Sequence, residues 1–267
     1  MPTSSSLSSL TDGFVDLVLG SCCVGCERPG RALCAPCWAA VPGDAAFHGP
    51  RPPPPGLVPT FAVGDYDGVL RALVLAHKEH RVLALTRPLG RLLARSVAAA
   101  LADLAGLEGL GELEGLGGVG GLARDGPVLL VPVPSRPAVV RRRGHDPTLA
   151  MTRVAARVLE AGLPAGPRVG VARLLRVRRG SGLVDQAGLG ATARAANLAG
   201  TLTAPAGVVR RAGERCPRAH VVLCDDVLTT GATLREAQRA LEVVGVPVLG
   251  AATVAATRRK VAVPNFG

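Results

Sequence analysis

Lysine is nearly missing from this chain. Of the 31 basic residues only Lys78 and Lys260 are lysines, and the rest are arginines. Neither lies in a Gly-x-x-x-x-Gly-Lys-Ser/Thr loop, so the lysine-bearing phosphate loop of nucleotide hydrolases is excluded. Aromatic residues make up 2% of the sequence, which leaves Ala, Val and Leu to fill the core. No apolar run is both long enough and free enough of charge to cross a bilayer. Met1 to Gly20 lacks a basic segment and carries Asp12 and Asp16, which argues against a secretory signal. Acidic residues are the minority sign, 20 against 31, for a formal charge of +11 and a pI near 10.5. An excess of Arg, Ala, Gly, Pro and Val fits the codon bias of a GC-rich genome. It equally suits attraction to anions: a polyphosphate substrate, nucleic acid or an acidic partner. The 267 residues suffice for one sizeable core and a small appended module.

Cysteine is sparse and uneven. Five of the seven lie within residues 22–37, and Cys216 and Cys224 stand alone. That spread argues against a disulfide scaffold and for a reducing, cytoplasmic setting with a metal site. Cys23-x2-Cys26 and Cys34-x2-Cys37 form two knuckles. Each knuckle places two thiolates on one side of a tight turn, and two knuckles complete a tetrahedral four-cysteine site for structural Zn²⁺. Cys22 would lengthen the first knuckle and is read as a spectator. The alternative is a pair of disulfides.

The chain is organised around Val221 to Leu234. Val221 to Cys224 reads as a buried strand, and Asp225 and Asp226 stand where it should end. Thr229, Thr230, Gly231 and Ala232 make a short loop of small residues, and Thr233 with Glu236 has the pattern of a helix capping box. The first turn of a helix offers backbone N–H groups without intrahelical partners, and its dipole favours negative charge. Small residues let a phosphate approach the backbone, and Gly231 can adopt conformations that other residues avoid. Asp225 and Asp226, being anionic, would not bind the phosphate itself. They can accept hydrogen bonds from sugar hydroxyls or hold a divalent cation. A phosphate cradle beside two hydroxyl acceptors suits a sugar phosphate.

Along the chain, residues 1–13 are expected to be disordered and 14–48 to form the zinc module. A proline-rich hinge at 49–59 is expected as a stiff, extended spacer. Residues 60–258 follow as the main domain and 259–267 as a tail. Strands are expected at 60–65, 127–134, from 169 and from 202, and at 248–256. Helices are expected at 69–77, from 86 to 105, at 147–161, 191–198 and 234–243. Leu89, Leu92, Leu93 and Val97 share one helix face. Lys78-Glu79-His80-Arg81 forms a charged cluster that is equally well a solvated helix end. Arg141, Arg142 and Arg143 precede a helix that starts at Pro147, and guanidinium groups there would clamp a pyrophosphate. Residues 105–126 read as a low-complexity Gly-Leu insert. Its Gly115-x-Gly117-x-x-Gly120 follows no strand, so it is not a dinucleotide fingerprint. Alternation of strands and helices predicts an open, mostly parallel α/β sheet with its ligand at the carboxyl ends of the strands.

The acidic-Thr stretch from 225 to 233 resembles the phosphoribosyl-pyrophosphate (PRPP) motif of type I phosphoribosyltransferases. The whole pattern resembles the ComF/GntX family, an N-terminal four-cysteine zinc module followed by such a domain. The residues that carry the resemblance are the two Cys-x2-Cys pairs with Trp38, Val-Pro-Val-Pro at 131–134, and Arg143-Gly144. Gln186, Arg194, Asn197 and the acidic-Thr stretch complete them. The family's usual Arg-Gly-Phe-Asn-Gln stands here as Arg-Gly-His-Asp-Pro at 143–147. The resemblance implies that Asp225 and Asp226 hold the ribose. It assigns the PRPP site to Val227, Leu228, Thr229, Thr230, Gly231, Ala232 and Thr233, with the 5′-phosphate on Thr229 to Thr233. Ser135 and Arg143 would lie by the pyrophosphate, which arrives with Mg²⁺. The implied activity is phosphoribosyl transfer to an unknown nitrogen acceptor. ComF relatives are linked to competence and DNA uptake, which implies an alternative function as an adaptor or nucleotide sensor with single-stranded DNA or a protein as partner. The aromatics shortly after the cysteines are only Trp38 and Phe47, few for base stacking.

Overall fold

In the computed structural model, residues 22–107, 126–162, 167–178 and 198–257 are described. Apolar runs on both faces of a strand call for cover on both sides, and the sheet has it. Its six strands are β1 (Ala46–Phe47), β2 (Thr60–Asp65), β3 (Val128–Pro132), β4 (Val169–Val171), β7 (His220–Leu228) and β8 (Gly250–Ala256). They lie in the order β1-β2-β8-β7-β3-β4. All neighbours are parallel except β1, which pairs antiparallel with β2. Two further strands, β5 (Arg176–Val177) and β6 (Leu202–Thr203), form a separate antiparallel pair. This is the mixed α/β, mostly parallel architecture expected. Among the described residues no helix is long and apolar enough to cross a membrane.

Alternation divides the core. On β7, Val222 and Cys224 join one cluster while Val221 and Leu223 join the other. On β3, Val128 and Leu130 fall on the first side, Leu129 and Val131 on the second. The first side is covered by α2 (Gly68–Lys78), α3 (Thr86–Leu107) and α5 (Pro147–Gly162). Leu89, Leu92, Leu93 and Val97 of α3 are all fully buried there. The second side is covered by α7 (Ala232–Glu242) through Leu234, Ala237 and Leu241. It also carries α6 (Ala206–Arg215), a helix not foreseen in the sequence, whose Val208, Val209 and Ala212 pack on the same cluster. Pro132 is tolerated inside the sheet because it is the last residue of β3, and β4 pairs only as far as Leu130.

The N-terminal module is fastened to this sheet. Its short helix α1 (Ala35–Ala39) carries Trp38, over which the Arg95 guanidinium lies 5.5 Å from the ring centroid. Arg95 also donates to the Pro42 carbonyl at 3.0 Å. The proline-rich segment is tied down instead of standing free. Val58 N–H donates to Gln238 Oε1 at 3.1 Å, Gln238 Nε2 donates to the Gly56 carbonyl at 2.8 Å, and Arg235 Nε donates to the Pro55 carbonyl at 2.9 Å. The prolines give a preset path, and the polar face of α7 supplies the partners.

Three further expectations change. The central strand does not stop at Cys224. It runs to Leu228, because β8 continues beside it and pairs Val227 with Ala255 and Leu228 with Ala256. The capping box is absent: α7 starts at Ala232 with left-handed Gly231 as its cap, and no side chain caps it. Glu236 is buried and accepts from Leu202 N–H and Arg239 instead. Arg141 to Arg143 do not merely precede a helix but form the last turn of one, α4 (Pro137–Arg143), closed by left-handed Gly144. All but the last residue of the helix expected at 191–198, the residues Gln186, Arg194 and Asn197, the bulk of the Gly-Leu insert, residues 1–13 and the tail lie outside the described residues.

The tightest helix contact is between α3 and α5. A Cβ at Gly90 would overlap Val154 and lie 3.0 Å from the Met151 carbonyl oxygen. Gly90→Ala is expected to lower stability by about 1–2 kcal/mol, since overpacking exceeds the roughly 1 kcal/mol gain in helix propensity. Urea unfolding measures it, and a stabilised variant would contradict the close approach.

Candidate functional site

β7 delivers Asp225 and Asp226 to the carboxyl end of the sheet, where β3 ends one strand away. The ladder pairs Pro132 with Cys224, and Val133 N–H donates to the Cys224 carbonyl at 2.9 Å. The loop after Pro132 therefore runs beside the acidic pair. Consecutive strand residues point to opposite faces. Asp226 follows Val222 and Cys224 toward the α2 side, and there it meets Lys78 on the last turn of α2. Its Oδ1 accepts from Val227 N–H at 2.8 Å, and its side chain is 7% exposed. Asp225 Oδ1 accepts from Asp226 N–H at 2.9 Å.

The charges are strongly coupled. Burial, and then the neighbouring Asp226 carboxylate, pushes Asp225 up to about 8, against the pull of Lys78. Burial would weaken the Lys78 ammonium, but the Asp226 carboxylate outweighs it and the pKa is raised. Burial, reinforced by His145, drives His77 down to about 4, so this ring is neutral at ordinary pH. His77 accepts from or donates to Thr86 Oγ1 at 2.9 Å and stacks edge-on against His145, with centroids 5.3 Å apart. Burial raises Tyr66, the one tyrosine of the chain, which feels both Lys78 and Asp226.

The threonine loop after β7 is short. Thr229 is exposed and Thr230 half-buried, and Thr230 Oγ1 accepts from Ala232 N–H at 3.4 Å. Gly231 is required twice over. Its φ is +73°, and a Cβ would lie 2.8 Å from Leu57 and 3.0 Å from Pro50. Ala232 is buried and Thr233 half-buried at the start of α7. Val227 and Leu228 are paired strand residues whose side chains serve the two cores.

Beyond the end of β3 lies a cavity of about 420 Å³, bounded by Pro134, Ser135, Arg141, Asp146, Arg173 and Arg176 among others. Arg143 is not among the lining residues: its side chain is 12% exposed and its guanidinium pairs with Glu79. Arg141 lines the cavity, joined by Arg173 from the β4–β5 connection and Arg176 at the start of β5. His145-Asp146-Pro147 also finds its place. Asp146 Oδ1 caps α5 by accepting from Leu149 N–H at 3.1 Å, Pro147 opens that helix, and the His145 ring packs on His77. The link from Lys78 to Asp226 is not readable from the sequence. Its one signal is that Lys78 is one of two lysines in a chain whose other basic residues are arginines.

The four cysteines converge as expected. The sulfurs of Cys23, Cys26, Cys34 and Cys37 lie within 4.8 Å of one another, and none is in a disulfide. Pro36 in the first turn of α1 starts the helix that carries Cys37 back toward Cys34. Gly25 leaves the room this needs, since a Cβ there would sit 3.0 Å from Cys37 Sγ. Burial would raise the Cys23 thiol, but N–H groups of Cys34, Gly25 and Cys26 bring it down to about 6. Proton sharing with Cys34 and Cys26 pushes Cys37 up to about 12. One thiolate is thus favoured and the next resists ionisation, the balance a bound cation would tip. Four sulfur donors at this separation could hold a zinc ion.

Residues 153–267 match the phosphoribosyl transferase domain family. The match takes in β7, the acidic pair, the threonine loop, α7 and β8. It supports a phosphoribosyltransferase-like function, and it implies a phosphoribosyl-type substrate. No curated protein matches the chain. The sheet extends outside the matched residues: β3, the parallel neighbour of β7, and β2, the parallel neighbour of β8, come from the preceding part of the chain.

Two outcomes are expected. A group whose folded pKa is raised from 3.8 to about 8 loses stability as pH rises through that window, because the unfolded chain gives up the proton first. Asp225→Asn should therefore stabilise the free protein, with an advantage that grows from about pH 4 to pH 8 and then levels off; thermal unfolding against pH tests it. Metal analysis of purified protein should find about one zinc per chain, reduced in Cys26→Ser. Absence of zinc with four titratable thiols would refute the assignment.

Proposed function

We propose that this chain binds PRPP and transfers its phosphoribosyl group to a nitrogen acceptor. One observation carries the reading: the acidic pair of β7 and the arginine-lined cavity beyond β3 open from adjacent parallel strands. A sugar bisphosphate has the complementary pattern, with hydroxyls between two phosphate ends. In this reading Asp225 and Asp226 accept from the ribose hydroxyls. The backbone N–H groups and hydroxyls of Thr229 to Thr233 hold the 5′-phosphate at the start of α7. Ser135 and the guanidinium groups of Arg141, Arg173 and Arg176 receive the pyrophosphate.

The reaction forms a bond from the acceptor nitrogen to C1 of the ribose and breaks the C1–oxygen bond. Pyrophosphate leaves with the electron pair, and the acceptor nitrogen gives up its proton. The protein holds the reacting atoms in line and offers positive charge where negative charge develops. Asp226 is already paired with Lys78, so the described acids do not make an all-protein cage for Mg²⁺. That suits an ion that arrives on the pyrophosphate, where it would neutralise the leaving group. The N-terminal cysteine cluster has no role in this chemistry. It supports a structural Zn²⁺ that rigidifies the module docked on α3.

Calorimetric titration with PRPP, with and without Mg²⁺, tests the reading. Binding that needs Mg²⁺ and weakens at least about tenfold in Asp225→Asn is expected, a loss on the scale of one charged hydrogen bond. Failure to bind at millimolar PRPP would refute it. Binding without turnover across nucleobase and amine acceptors would move the function from transfer to ligand sensing.

A further inference from the structure

The last turn of α2 reaches two parts of the site at once. Lys78, two-thirds buried, sets its ammonium on the Asp226 carboxylate, which is 7% exposed. The next residue, Glu79, pairs with Arg143 at the end of α4. Arg81 Nη2 donates to the Arg142 carbonyl at 2.7 Å. One helix end thus braces the acidic pair on β7 and the arginine turn that borders the phosphate cavity. The Asp226 carboxylate is tightly specified. Oδ1 is held by Val227 N–H at 2.8 Å. Oδ2 is buried and receives the Lys78 ammonium.

We infer that Lys78 is a positioning residue of the phosphoribosyl site, which holds the Asp226 carboxylate aimed so that it can accept a ribose hydroxyl. The inference rests on the phosphoribosyl reading above. A carboxylate has about four acceptor positions, so Val227 and Lys78 leave room on Asp226 for a hydroxyl. Without the ammonium, Asp226 would be an unpaired buried charge beside a second carboxylate, and such a group turns away toward solvent. Lys78 suits the task because its charge is compact and its stem flexible. Acting through Asp226, it should matter for every ligand that carries the ribose, whatever stands at C1.

The test uses the full chain and two probes, PRPP and ribose 5-phosphate, titrated with Mg²⁺ present. Lys78→Met should weaken both by a similar factor, about 10- to 100-fold for a charged contact. Lys78→Arg should recover most of that loss. In an Asp226→Asn background, Lys78→Met should add less than about threefold, because the two residues act as one unit. That background also removes the unpaired buried charge, so the double variant remains folded even where Lys78→Met alone does not. Weakening of PRPP with ribose 5-phosphate spared would overturn the inference, since it would put the ammonium on the pyrophosphate. Independent, multiplying losses in the double variant would overturn it too, as would unchanged binding. If the unaltered protein binds neither probe, the phosphoribosyl reading itself falls, and the role of Lys78 falls with it.

Discussion

Two carboxylates on consecutive residues of a buried central strand are the constraint around which the site is built. A strand sends neighbours to opposite faces, so only Asp226 pairs directly with Lys78, whose pull on Asp225 is weaker. Asp226 faces the side covered by α2 and finds Lys78 there. Asp225 is left with burial and the adjacent negative charge, and is pushed up to about 8. The fold tolerates this because β3 and β8 hold β7 rigidly on both sides. Such a pair is unfavourable in the free protein, and under the proposed function a ligand that offers hydroxyl donors and cations would relieve it. Stability would then be traded for a ready acceptor site, a common arrangement where function needs charges close together.

The N-terminal part of the chain is attached to this site more closely than a zinc module on a hinge would be. Its proline-rich segment hydrogen-bonds to Arg235 and Gln238 of α7 and leaves no space for a side chain at Gly231. Its last strand, β1, joins the sheet beside β2. Its tryptophan lies under an arginine of α3. The chain that follows the cysteine cluster is thus in direct contact with the loop that starts α7. Low aromatic content makes this economical packing feasible: alanine-rich β8 lets α3 lie close to the sheet, and Gly90 lets α3 lie close to α5.

Much of this could be read from the residues in order. The alternation of apolar strands and amphipathic helices gave the parallel sheet. Paired Cys-x2-Cys knuckles gave the four-sulfur cluster, and Asp225-Asp226 with the threonine loop gave the candidate sugar-phosphate site. Each of these is local: a period, a spacing or a run in which neighbours in the chain are neighbours in space. The readings that changed depend on residues far apart. β7 is longer than its apolar run because β8 pairs with its last residues. Thr233 and Glu236 do not cap α7, because Glu236 is drawn to Leu202 N–H. Arg143 is held by Glu79 while Arg141 lines the cavity, because a helical turn separates the directions of adjacent side chains. Lys78 reaches Asp226 across nearly 150 positions of chain. Local pattern sets which elements form and which chemistry they carry; the partner of each buried charge is decided only when the elements pack, because electrostatic and steric neighbours in the folded protein are set by packing and not by sequence distance.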